Sequence, residues 1–199
     1  MPSETFVKMK NILAASLLAL SAAASAGDYT PFVGIDAATE RDSLKNDYVS
    51  ANLTVGLKAP GKMEYSVRIG ATEKEENTHT RNIETRIKKS FDVGMPFSPY
   101  LAVRLGQKTS NTDKSSFSHW ALDAGLKLPV ASQLALDVGV RYRDAFRSTV
   151  NYQSTRYHVA MLYEIDPSNV VGLRYTTSTS TNKPEEERDG WRINYQHNF

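Results

Sequence analysis

The sequence predicts an all-β fold: a transmembrane, up-and-down antiparallel β-barrel of about ten strands, with eight or twelve as the neighbouring counts, behind a cleaved signal peptide. Three observations predict it. Apolar and polar residues alternate with period two in ten segments after residue 26, and successive side chains of a strand point to opposite faces. Short and long connections between these segments take turns along the chain. Aromatic residues gather at both ends of the apolar face, as the two interfaces of a bilayer select.

Residues 1–26 read as an address. Lys8 and Lys10 precede the apolar run Ile12 to Ala26, which closes on Ala24-Ser25-Ala26. A basic start, a short apolar centre and an Ala-x-Ala exit make a secretory signal peptide, and the run is too short to span a bilayer comfortably. Cleavage after Ala26 leaves residues 27–199 as the barrel. Met9 is a more natural initiator than Met1, since it opens directly into the basic and apolar regions, and residues 1–8 would then be a start-site artefact.

The strands follow in order. A weak first one lies near Tyr29–Ala37, with Val33 and Ile35 against Asp36. Val49, Ala51, Leu53, Val55 and Leu57 then alternate with Ser50, Asn52, Thr54 and Gly56, and Met63, Tyr65, Val67 and Ile69 with Glu64, Ser66, Arg68 and Gly70. Ile83, Thr85 and Ile87 oppose Glu84, Arg86 and Lys88; Leu101, Val103 and Leu105 oppose Ala102, Arg104 and Gly106. Trp120 to Leu128 and Leu134 to Tyr142 give two more, with Asp123, Lys127, Asp137 and Arg141 on the polar side. Tyr157 to Ile165, Val171 to Tyr175 and Trp191 to Phe199 complete the set. At about 9–12 residues each, these strands approach the length that crosses a membrane when tilted.

Ala59-Pro60-Gly61, Asp92 to Ser98, Pro129 to Gln133 and Asp166 to Asn169 are the short connections. Thr39 to Asp47, Glu73 to Thr80, Lys108 to Ser116, Asp144 to Gln153 and Thr177 to Asp189 are longer and polar. Short turns at one end and long loops at the other describe an outer-membrane barrel. On the apolar face, Trp120, Tyr142, Tyr157, Tyr175 and Trp191 mark the loop end, and Tyr65, Tyr163, Tyr195 and Phe199 the turn end.

Composition then excludes several functions. The 199 residues hold 24 Lys+Arg, 22 Asp+Glu and no cysteine. A charge near zero, spread along the chain, offers no footprint for nucleic acid. Without cysteine there is no disulfide scaffold, thiolate metal site or cysteine nucleophile. A mean hydropathy of −0.44 argues against a helical membrane protein but not against a barrel, whose strands are half polar.

If the apolar face meets lipid, the polar face lines the interior. Lys58, Arg68, Arg86, Lys88, Arg104, Lys108, Lys127, Arg141, Arg143, Arg156, Arg174 and Arg192 fall on it, against Asp36, Glu64, Glu84, Asp123, Asp137 and Glu164. Glu40, Asp42, Glu73, Glu75, Glu76 and Glu185 to Glu187 fall in the loops. An interior about six charges positive concentrates anions, and the planar guanidinium grips carboxylates in pairs. The eight arginines of this set are the candidate anion contacts. Inward glycines such as Gly106, Gly125 and Gly139 leave space for long neighbouring arginines. Of the histidines, His79 is in a loop, His197 faces lipid, and His119 and His158 face the interior as satisfied polar groups. No catalytic triad, metal cluster or phosphate loop is found, so neither an enzyme nor a cofactor is expected.

The strand ending at Phe199 resembles the C-terminal signature of bacterial outer-membrane barrels. Arg188 to Tyr195, with Gly190, Ile193 and Tyr195 at the marked places, resembles the signal read by the outer-membrane assembly machinery. Leu136 to Arg143 (LDVGVRYR) and Val171 to Tyr175 (VGLRY) resemble the oligogalacturonate-specific porin family. That resemblance implies a small monomeric porin for acidic oligosaccharides, with Arg141, Arg143, Arg174 and Arg192 on the anion. The family has twelve strands where this chain shows ten. The expectation is a narrow anion-preferring porin of a Gram-negative outer membrane, in contact with lipid, lipopolysaccharide and anionic solutes. A closed structural or adhesin-like barrel is the alternative.

Overall fold

Ten strands form where the side chains alternate, because each edge finds a hydrogen-bonding partner in the next segment. The computed structural model describes residues 28–74, 78–111, 116–147, 149–150, 152–180 and 187–199, so the leader expected over 1–26 lies outside the described residues, as do Glu75, Glu76, Glu185 and Glu186. The strands are β1 Thr30–Asp42, β2 Asp47–Ala59, β3 Met63–Lys74, β4 Thr78–Ser90, β5 Ser98–Ser110, β6 Ser116–Ala131, β7 Leu134–Ala145, β8 Ser154–Asp166, β9 Asn169–Ser180 and β10 Arg188–Asn198. Each pairs antiparallel with the next, and β1 also pairs with β10, which closes the barrel.

The strands run 11 to 16 residues and are longer than expected, at the expense of the loops. Polar side chains do not stop a strand whose backbone still has a partner. The clearest case is the β1–β2 hairpin. Thr39 to Asp42, read as loop, pairs with Val49, Tyr48 and Asp47 on one side and β10 on the other. The hairpin turns instead on Asp42, whose carboxylate accepts the backbone N–H of Leu44 (3.0 Å) and Asn46 (2.8 Å) and the Tyr48 hydroxyl (2.9 Å). Lys45 takes a left-handed φ of 67° at the tip. At the opposite end, Pro60-Gly61-Lys62 makes one 3-10 turn with Gly61 at φ 70°.

Closure is oblique. Paired residues lead from Leu134 through Tyr163, Val171, Tyr195, Ile35, Leu53, Ile69, Ile83 and Gln107 to Ser118. The Ser118 carbonyl accepts the N–H of Phe146 at 3.1 Å, twelve residues beyond the start. A stagger of this size goes with strands tilted roughly 35–45°. The tilt fixes which residues oppose each other across the interior. Bulges at Pro129/Ala131 and Glu164/Asp166 lie at the turn end, where pairing stops.

The two faces differ in kind. Outside, Ile35, Leu101, Leu105, Met161, Trp191 and Ile193 are about half exposed or more. Inside, Ala102, Ala121, Ala160, Arg104, Asp123 and Asp137 are buried. The expectation that inward glycines make room for arginines is corrected. A Cβ on Gly125 would lie 2.5 Å from the Tyr100 ring, and one on Gly106 2.6 Å from the His119 ring, so these gaps hold flat rings.

Candidate functional site

Register places charged side chains of all ten strands on the inner face, and their partners show how tightly the middle is joined. Glu40 on β1 binds Arg156 on β8 at 3.0 Å and Arg192 at 3.6 Å. Strands three places apart can meet only through the interior. Asp36 takes Arg68 (2.6 Å) and Arg192 (2.5 Å). Asp123 takes Arg104 (2.7 Å) and Arg141 (2.7 Å), with Arg86 at 3.9 Å. Arg104 also binds Glu84, and Arg86 binds Glu64 at 3.3 Å. Asp137 gathers Arg174 (3.3 Å), His158 (3.4 Å) and the Tyr100 hydroxyl (2.9 Å). Seven arginines and six carboxylates thus form three ion-paired clusters, which together make a girdle across the barrel. Each ion lost from water is repaid only by such multiple contacts.

The girdle changes the charge account. The register adds Lys74 and Arg188, and Glu40 and Asp42, to the twelve inward cations and six inward acids read from the sequence. Glu40 and Asp42 are therefore not loop acids: they continue the phase of Asp36 and Ala38 along β1. Among the described strand residues the inner face carries fourteen cations and eight carboxylates. After the girdle, seven cations and two acids remain, and they lie at the two ends.

At the turn end are Lys58, Lys88 and Lys127. The Lys58 ammonium donates to the Asn198 side-chain oxygen (2.7 Å) and Lys88 stands 4.6 Å over the Tyr100 ring. At the loop end two buried tyrosines hold the cations. Arg188 and Lys74 lie over Tyr48 at 3.6 and 5.9 Å, and Arg143 and Lys108 over Tyr152 at 4.0 and 4.8 Å. A cation over an aromatic face is attracted by the ring's negative centre. Tyr152 belongs to the 146–153 connection yet is only 4% exposed. It packs on Phe117 (4.6 Å between centroids) and His119 (5.5 Å), so its ring lies inside the mouth. No periodicity marks a loop residue, and sequence reasoning missed it. Glu40 could have been found, since its parity matches Asp36.

The eight candidate arginines thus divide. Arg68, Arg86, Arg104, Arg141, Arg156, Arg174 and Arg192 belong to the girdle, and Arg143 to the loop-end mouth, where it also bonds the Ser154 hydroxyl at 3.1 Å. His119 lies 3.6 Å from Glu84 and is 1% exposed. His197 sits on the outer face, 2.9 Å from the Asn169 side-chain oxygen. Of the closing-strand residues, Ile193 and Phe199 project outward and are 62% and 72% exposed, with Tyr195 beside them, while Gly190 faces in. A Cβ on Gly190 would meet the Thr39 carbonyl at 2.1 Å, so only glycine fits there.

An apolar groove crosses the outer face of β1 to β4, where Ala37, Ala51 and Ala71 lie in one row above Ile35, Leu53 and Ile69. Among the described residues no group of three or more His, Asp or Glu could hold a metal ion.

No protein-family model and no curated protein matches the chain. Solved structures do. An outer-membrane channel of Pseudomonas putida F1 (COG4313) matches with TM-score 0.57 and 8% identity over 87% of this chain and 96% of that one. The NanC porin matches with TM-score 0.56 and 11% identity over 83% and 98%. The translocator domain of the autotransporter NalP from Neisseria meningitidis matches with TM-score 0.51 and 13% identity over 99% and 98%. A channel, a porin and a translocator domain share this architecture, so the likeness shows the outer-membrane β-barrel fold.

Proposed function

We propose that the chain is an exported outer-membrane β-barrel, without enzymatic activity, that acts as a narrow anion-preferring porin. One observation carries the reading: among the described strand residues the inner face carries fourteen cations against eight carboxylates. A cationic lining over low-dielectric walls concentrates anions and repels cations. The fold of porins and channels supports it. Small anions are the natural solutes of so crowded an interior. Acidic oligosaccharides rest on the resemblance of Leu136 to Arg143 and Val171 to Tyr175, and their passage needs the girdle to part. The grooved apolar face meets lipid and lipopolysaccharide, and Gly190, Ile193, Tyr195 and Phe199 address the chain to the assembly machinery.

Planar-bilayer recording on the refolded protein tests this. Discrete steps are expected, with a reversal potential in a salt gradient that favours chloride. Cation preference overturns the charge argument, and silence overturns conduction. Silence is the outcome of the second reading, a closed structural or adhesin-like barrel, which the interlocked girdle and the inserted Tyr152 favour.

A further inference from the structure

The girdle borders a partly open cavity of about 30 Å³, where a single water needs roughly 10–15 Å³. Five of the residues around it are Arg68, Arg141, Arg156, Arg174 and Arg192, and Asp123 supplies the carboxylate; Thr176 adds a hydroxyl. Such a lining is strongly cationic. Two of these arginines, Arg68 and Arg174, each bury an Nε–H with no acceptor. An unsatisfied buried N–H is unfavourable, and one on a charged group more so. The count of the whole girdle agrees: seven guanidiniums to six carboxylates leave one positive charge in the middle of the barrel.

We propose that this cavity is a binding site for one small monovalent anion of halide size. The anion lies among the guanidiniums that line the cavity and neutralises the surplus charge. Water in the same place satisfies donors but leaves the charge. A larger anion has no room. Arg141 and Arg156 come to the cavity already held by Asp123 and Glu40, so the site is preorganised and needs no strand to move. The inference goes beyond conduction, because a resident anion serves a closed barrel as well as an open one, tying β3, β7, β8, β9 and β10 together.

Bromide, which diffracts anomalously, is the probe. Crystals of the refolded full barrel in sodium bromide should show one anomalous peak between Arg68, Arg141 and Arg174. In solution, the thermal midpoint in detergent should rise saturably with chloride at constant ionic strength, and not with gluconate, which is too large for the cavity. At 100 times the dissociation constant the rise should be about 5–10 °C. Arg174→Gln removes one guanidinium and should abolish the chloride dependence. Should that variant fail to fold, the bromide peak in the unaltered protein decides. Density without anomalous signal, together with equal midpoints in chloride and gluconate, means that water fills the cavity and overturns the site. A peak without conductance leaves the site standing and removes the porin; conductance without a peak does the reverse.

Discussion

The middle of the barrel and its two mouths are built from the same residue types and differ in what faces them. In the middle, each arginine meets carboxylates from other strands, as Arg104 meets Glu84 and Asp123, and the charges cancel nearly one for one. At the mouths, cations also lie against aromatic rings or amides, as Lys88 lies over Tyr100 and Lys58 faces Asn198. On the proposed reading, a guanidinium joins strands in one place and attracts anions in another. The counter-charge decides, and counting arginines on the inner face does not distinguish the two.

Four variants sharpen or break that contrast. The largest effect belongs to the middle. Arg104→Met takes the guanidinium from buried Glu84, leaves Asp123 with Arg141 and Arg86, and should lower stability by about 3–5 kcal/mol, measured by urea unfolding followed through tryptophan fluorescence. A loss under about 1 kcal/mol would mean that water reaches the girdle and that the middle resembles the mouths. Next comes Tyr152→Ala. It removes the ring from Phe117 and His119 and the platform under Arg143 and Lys108, at about 1–2 kcal/mol. Single-channel conductance should rise with it; unchanged conductance places the narrowest point in the girdle.

Lys88→Ser with Lys127→Ser should move the reversal potential toward zero while stability changes by no more than about 0.5 kcal/mol per site, since neither bridges a carboxylate in the girdle. Equal anion preference before and after would deny the mouths their role. The smallest effect is the control. Arg41 and Asp47 pair at 2.6 Å on the outer face with both side chains about half exposed, so Arg41→Ala should leave the unfolding midpoint and the reversal potential almost where they were.

Much of this architecture follows from the amino-acid sequence alone. Period two assigns each strand residue to one of two faces without any knowledge of its neighbours, because the pleat alternates whatever it packs against. The aromatic residues at both ends of the apolar face then say which face is outward. Turn chemistry around Pro60-Gly61 and Asp166-Pro167 sets the short end. Tertiary structure decided the rest. Glu40 meets Arg156, 116 residues away, only because ten strands close with a stagger of twelve, and a local pattern carries no such distance. Tyr152 lies in the mouth against rings contributed by β6, Phe117 and His119, and only the folded barrel brings them together. Whether inward charge is spent on pairing or left as field is likewise a property of the closed interior, since an ion pair exists only once both strands are in place.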